Sequence, residues 1–177
     1  HVMFLLMYNT GARVSEIVGI RVGEVILDDG AACVHLHGKG RKQRSVPLWR
    51  STVKAVRAWL RVNPQFEAMS PLLPNRNGRA MTRSNVTKRL MLAARAAAAQ
   101  HLRLTKQRVS PHTIRHTTAM HLLQAGVDIS VIALWLGHES PATTHHYVEA
   151  DLTMKERALA KLHEPDAKIQ RYRAPDS

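Results

Sequence analysis

At 177 residues the chain can bury one sizeable core, and a hydrophobic content of 45% marks it as globular rather than disordered. It has 26 Lys and Arg against 13 Asp and Glu, a formal charge of +13, and its single cysteine excludes an intramolecular disulfide and suits a reducing cytoplasm. No stretch has transmembrane length, and the opening HVMFLLMY is too short for a signal peptide and lacks a basic leader.

Val2 to Tyr8 reads as an apolar helix ended by Asn9-Thr10-Gly11. No capping residue stands before it, which predicts that further sequence precedes the chain. Arg13 opens the next helix, with Val14, Ile17 and Val18 as its buried stripe. Glu16 lies one turn on and could pair with Arg13 as an ordinary surface ion pair. The period then shortens. Val25–Leu27, Ala32–Leu36 and Arg44–Leu48 are branched-rich runs separated by the turns Asp28-Asp29-Gly30 and Gly38-Lys39-Gly40-Arg41-Lys42, which predicts a small three-stranded antiparallel sheet. Cys33 falls inside a strand and reads as an inert thiol. Lys39 sits between glycines, either as a plain solvated hairpin lysine or as a cation that a flexible loop carries to a ligand. The spacing of a P-loop is absent.

Ser51 to Val62 is amphipathic, with Val53, Val56, Trp59 and Leu60 inward. Residues 63–81 are irregular. Thr82 or Ser84 caps an alanine-rich helix reaching about His101, and a basic loop follows to Val109. Arg83, Lys88, Arg89 and Arg95 on that helix fit either a DNA backbone or a solvated face.

Ser110 caps the next helix, with Pro111 at its first position and Ile114, Met120, Leu122 and Leu123 as the buried face; Gly126 ends it. Asp128 caps a further helix with Ile129, Ile132, Ala133 and Leu136 inward, ended by Gly137. Ser140-Pro141 opens a third, short helix carrying Tyr147. A last helix runs from about Thr153 to His163, giving one domain over 1–163 and a polar tail over 164–177. Between Asp29 and Asp128 the only acid is Glu67, while 18 of the 26 basic residues lie there. Such a zone suits a polyanion, most simply nucleic acid; an inert basic surface is the plain alternative. A membrane surface fits less well, because the cations are spread over several elements rather than along one amphipathic helix. His112 and His116 have the spacing of zinc ligands, but the glutamate of HExxH is missing and Arg115 stands between them, so neither a metal nor a cofactor is assigned.

Four motifs occur in a fixed order: Thr10-Gly-Ala-Arg-Val-Ser-Glu-Ile17, Gly38-Lys39-Gly40, His112-x-x-Arg115-His116, and Leu136-Gly137-His138 followed nine residues later by Tyr147. Together they resemble the catalytic domain of the tyrosine recombinase (phage integrase) family across nearly the whole chain. The resemblance implies a mainly α fold with a small antiparallel sheet. It also implies site-specific cleavage and rejoining of double-stranded DNA through a 3′-phosphotyrosyl intermediate, by a homotetramer on paired sites. By that match Arg13, Lys39, His112, Arg115, His138 and Tyr147 are the catalytic set, with Glu16 and His116 in support. Tyr147 is the nucleophile and Lys39 the acid for the leaving oxygen. Arg41, Lys42, Arg44, Arg83, Lys88 and Arg89 are expected to lie along DNA, in a protein of the cytoplasm and its nucleoid. A relaxing topoisomerase with the same chemistry and a catalytically silent DNA-binding module are the other readings open at this point.

Overall fold

The computed structural model describes residues 1–28, 30–38, 42–99, 101 and 109–138. Six helices and three strands follow the chain as α1 (Val2–Thr10), α2 (Val14–Gly19), β1 (Val25–Ile26), β2 (Cys33–His37), β3 (Gln43–Pro47), α3 (Arg50–Arg61), α4 (Arg83–Ala98), α5 (Pro111–Gln124) and α6 (Ile129–Leu136) among the described residues. The expected helix around Tyr147, the helix from Thr153, the tail and the loop at 102–108 lie outside those residues.

The sheet is antiparallel in the order β1-β2-β3. Its strands sit one residue off the expected bounds at most ends, because the β2–β3 ladder closes on the pair His37↔Gln43 and begins at Cys33↔Pro47. Alternation follows from the pleat: Val34, Leu36 and Val46 point into the core, while Ser45 and Pro47 are exposed.

α1 is apolar around much of its circumference, and it packs between α3 and α5. Leu6 and Met7 from α1 join Ile17, Leu36, Val46, Val56, Leu72 and Val86 in one core. Trp59, on α3, donates its indole N–H to the Leu72 carbonyl at 2.8 Å and so pins the irregular segment 63–81. Thr82 caps α4 by accepting from the Asn85 amide at 3.2 Å.

α5 departs from the expected stripe. Ser110 caps it as read, with Pro111 at its start. Of the four expected inward residues only Leu123 is fully buried; Ile114, Met120 and Leu122 are half-buried. Arg115, Thr118 and Ala119 take the inner positions instead. The reason is polar: Thr118 donates its hydroxyl to the Tyr8 carbonyl at 2.7 Å, and Arg115 is bonded at both ends of its fork. Periodicity counts apolar residues and cannot see a buried guanidinium that has its partners.

α5 and α6 end alike. After α5 the Val127 amide bonds the Leu122 carbonyl and Gly126 takes φ 81°. After α6 the His138 amide bonds the Ala133 carbonyl at 3.0 Å and Gly137 takes φ 66°. This six-to-one closure with a left-handed glycine stops each helix sharply.

Candidate active site

The site is built on the end of α6. A helix leaves its last carbonyls without intrahelical partners and carries partial negative charge there. Two of those carbonyls, Ala133 and Leu134, accept the amides of His138 and Gly137. The next three accept guanidinium N–H groups from three other elements. Arg44 donates Nε to the Trp135 carbonyl at 2.8 Å, Arg115 donates Nη2 to the Leu136 carbonyl at 2.8 Å, and Arg13 donates Nη1 to the Gly137 carbonyl at 3.1 Å.

Each arginine has a second tether. Arg115 donates Nη1 to the Gly11 carbonyl at 2.6 Å, joining the end of α1 to the end of α6. It is 6% exposed, so its plane is fixed by the fold. Arg13 is the N-cap of α2 and remains exposed, with its guanidinium 3.7 Å from the Glu16 carboxylate. Glu16 is buried at 3% exposure and also accepts the Arg13 backbone amide at 2.6 Å. Its main partner was not foreseen. Arg44 grips it with Nη1 at 2.5 Å and Nη2 at 3.0 Å, the bidentate fork that suits arginine and carboxylate. These guanidinium contacts and the Arg13 amide hold the Glu16 carboxyl below its ordinary pKa, against the opposing effect of burial, which is the largest single influence.

Arg44 was expected along DNA, and the structure gives it partners within the protein. Its guanidinium is spent inside the protein on Glu16 and Trp135. The signal was present in the alternation of β3, where Arg44 shares the inward face with Val46.

His138 follows Gly137 directly and is half-buried. Burial lowers its pKa, and the charges of Arg115, Arg13 and Arg44 push the same way, to about 4. The imidazole is neutral at pH 7 and presents one N–H donor. A cleft of about 650 Å³ is lined by Arg13, Glu16, His37, Lys42, Arg44, Arg83 and His138. A smaller cleft of about 310 Å³ is lined by Arg13, Ser110, His112 and Arg115. Arg13 thus belongs to both clefts, with His138, Lys42 and Arg83 in the larger and His112 and Arg115 in the smaller. His116 is exposed on α5, one turn from His112.

Other predicted positions fall elsewhere. Lys88 lines a groove along α4 with Arg83 and Arg95, whereas Arg89 faces an apolar groove with Phe4 and Trp59. Lys39, Arg41 and Tyr147 lie outside the described residues. At the end of β2, His37 Nε2 lies 2.7 Å from the Glu24 carboxylate, a contact the strand pattern alone did not suggest.

Two arginines, a neutral imidazole and a lysine on two clefts joined at Arg13 suit the charge of a phosphodiester. The model of the phage integrase family matches residues 1–154. The chain belongs to the phage integrase family. A Sinorhizobium fredii protein, y4rC, is 43% identical over 179 residues, covering 100% of this chain and 53% of that protein. The tyrosine recombinase XerC of Neisseria meningitidis serogroup C is 40% identical over 171 residues, covering 96% of this chain and 53% of its own length. The chain thus spans about half the length of these relatives. The crystal structure of XerA recombinase superposes with a TM-score of 0.75 at 24% identity, covering 90% of this chain and 57% of that one. XerH site-specific recombinase bound to its palindromic difH substrate, a post-cleavage complex, gives the same TM-score over 90% of this chain and 44% of its own. These likenesses establish the mainly α fold with its small sheet as that of phage integrase family members.

Proposed function

We propose that the chain is the catalytic domain of a site-specific DNA recombinase. The observation that carries this reading is the convergence of Arg13, Arg115 and His138 on the end of α6, within a chain that belongs to the phage integrase family. In the proposed reaction the Tyr147 hydroxyl attacks a phosphodiester phosphorus while the bond to the 5′ oxygen breaks. That oxygen leaves with a proton from Lys39, and DNA remains joined to the enzyme as a 3′-phosphotyrosyl ester. The 5′ hydroxyl of another strand reverses the step, so no bond energy is lost to water. Arg13 and Arg115 stabilise the negative charge that grows on the non-bridging oxygens, and neutral His138 donates to the same group. His112, exposed at the mouth, takes the tyrosine proton or orients the phosphate. His116 supports Arg115 from the same helix.

Lys42, Arg83 and Lys88, together with Arg41, carry the duplex backbone. The active assembly is a homotetramer on two DNA sites, in the cytoplasm at the nucleoid, and its cycle serves integration or excision. XerC of Neisseria meningitidis and the XerH–difH complex are the similar proteins that favour this reading over simple relaxation of supercoils.

The test is trapping of a covalent adduct in the whole protein with a nicked duplex carrying its site. The unmodified protein is expected to give a protease-sensitive adduct mapping to Tyr147. Tyr147→Phe should bind the duplex and give none. An adduct of unchanged yield on another tyrosine defeats the assignment.

A further inference from the structure

We propose that the outer face of α3 is a second nucleic-acid surface, separate from the clefts around Arg13. α3 buries Thr52, Val53 and Val56, and turns Arg50, Lys54, Arg57 and Arg61 outward, all exposed. Steps of four, three and four residues place these cations on one side of the helix. α3 contains no acid, and between Asp29 and Asp128 the sequence has only Glu67.

The stripe does not stand on a featureless surface. It forms one wall of a cleft of about 850 Å³, whose floor is the outer side of the sheet at Cys33, Ser45 and Pro47, with Asp28 at the rim. Arg57 donates Nη2 to the Leu27 carbonyl and ties that wall to the end of β1. Strand alternation separates the two regions. Ser45 and Pro47 point away from the side on which Arg44 and Val46 lie, and Arg44 belongs to the cleft with Arg13 and His138. The α3 cleft shares no lining residue with either cleft of the catalytic site.

Charge geometry selects the occupant. From Arg50 to Arg61 the stripe runs about 16 Å at the helical rise. Over that length a duplex presents on the order of ten phosphate charges. Cations in line, on a helix without acids, fit a uniformly charged rod better than the mixed surface of a protein. With a formal charge of +13 overall, a polyanion is drawn to the face as well as held there. The inference rests on the nucleic-acid reading above for the class of ligand, and on nothing in the cleavage chemistry.

The one cysteine of the chain supplies the reporter, because Cys33 lies half-buried in the floor of this cleft. The experiment measures alkylation of Cys33 by a small maleimide in the whole protein, quantified on its peptide, with a duplex that lacks any recombination site. At ten times the duplex concentration for half-maximal protection, alkylation is expected to slow about 11-fold, the ratio set by mass action. Arg50→Gln/Lys54→Gln/Arg61→Gln should abolish the protection and lower the salt slope of duplex binding by about 2.7. Arg83→Gln/Lys88→Gln should leave the protection in place. The proposal is overturned if duplex fails to slow alkylation in the unmodified protein, or if protection survives the triple substitution. It is also overturned if polyglutamate protects Cys33 and duplex does not, which would assign the face to an acidic protein. Since no outcome depends on the Tyr147 adduct, failure here and failure of the recombinase reading are separate results.

Discussion

Gly137→Ala is the substitution that tests how the site is held together, and Gly126→Ala is its control. Both glycines are left-handed helix ends, at φ 66° and 81°. An alanine pays about 1–2 kcal/mol for that conformation at either place. Beyond the backbone the sites differ. A Cβ on Gly126 meets no atom within 4 Å among the described residues, whereas one on Gly137 comes within 2.8 Å of Arg44 Nη1 and 3.1 Å of its Cζ. An arginine tip would ordinarily swing aside. Arg44 cannot do so without loosening its fork on Glu16 or its bond to Trp135. Losing one hydrogen bond to a charged group costs about 1.5–3 kcal/mol, so Gly137→Ala should cost roughly 3–5 kcal/mol in all. Urea unfolding of the chain, with an unchanged m-value, reads both costs. Each kcal/mol should appear as about 2–4 °C in Tm for a domain of this size. In an Arg44→Met background the extra penalty should vanish, leaving Gly137→Ala and Gly126→Ala equal. Equal costs in the unmodified background, or an excess that persists in Arg44→Met, would refute the claim that the fork fixes the end of α6.

The Cε1 proton of His138 should titrate by NMR with a midpoint of about 4 rather than 6.5, and a midpoint at 6.5 would refute its burial beside the three arginines. Because that pKa is depressed on folding, the stability it confers is complete above 6.5 and declines as pH falls towards 4; in His138→Gln this component of acid sensitivity should disappear. Lys39→Ala should lose at least ~10²-fold in cleavage rate, the lower end of general acid catalysis. A bridging 5′ sulfur should restore that rate, because a thiolate leaves without a proton, yet should not rescue Arg115→Ala. Rescue of both, or of neither, removes Lys39 as the acid.

The helical plan was legible because its punctuation is chemical. Ser110, Asp128 and Thr82 cap where their side chains predict, and Gly11, Gly126 and Gly137 end helices where only a residue without a Cβ is at ease. The strands were readable to within a residue, since alternation gives faces but a hairpin fixes register. Arg13, His112, Arg115 and His138 were singled out through motif order, and the fold places them on two clefts that share Arg13. The pairing of Arg44 was missed because a basic residue on a strand looks the same from sequence whether it faces DNA or a buried carboxylate. The difference lay in Glu16, 28 residues earlier. Lys88 and Arg89 are neighbours in sequence, yet they line different grooves, since a helix turns about 100° per residue.

The three guanidiniums at the end of α6 also set the order in which the site can form during synthesis. Arg13 bonds a carbonyl 124 residues away, Arg44 one 91 residues away, and Arg115 reaches back 104 residues to Gly11. The bonds to Trp135, Leu136 and Gly137 cannot form until the ribosome has released the end of α6, whereas the Arg115–Gly11 tether needs only α5. A growing chain therefore exposes its basic segments long before Arg13, Arg44 and Arg115 can be gathered at the end of α6.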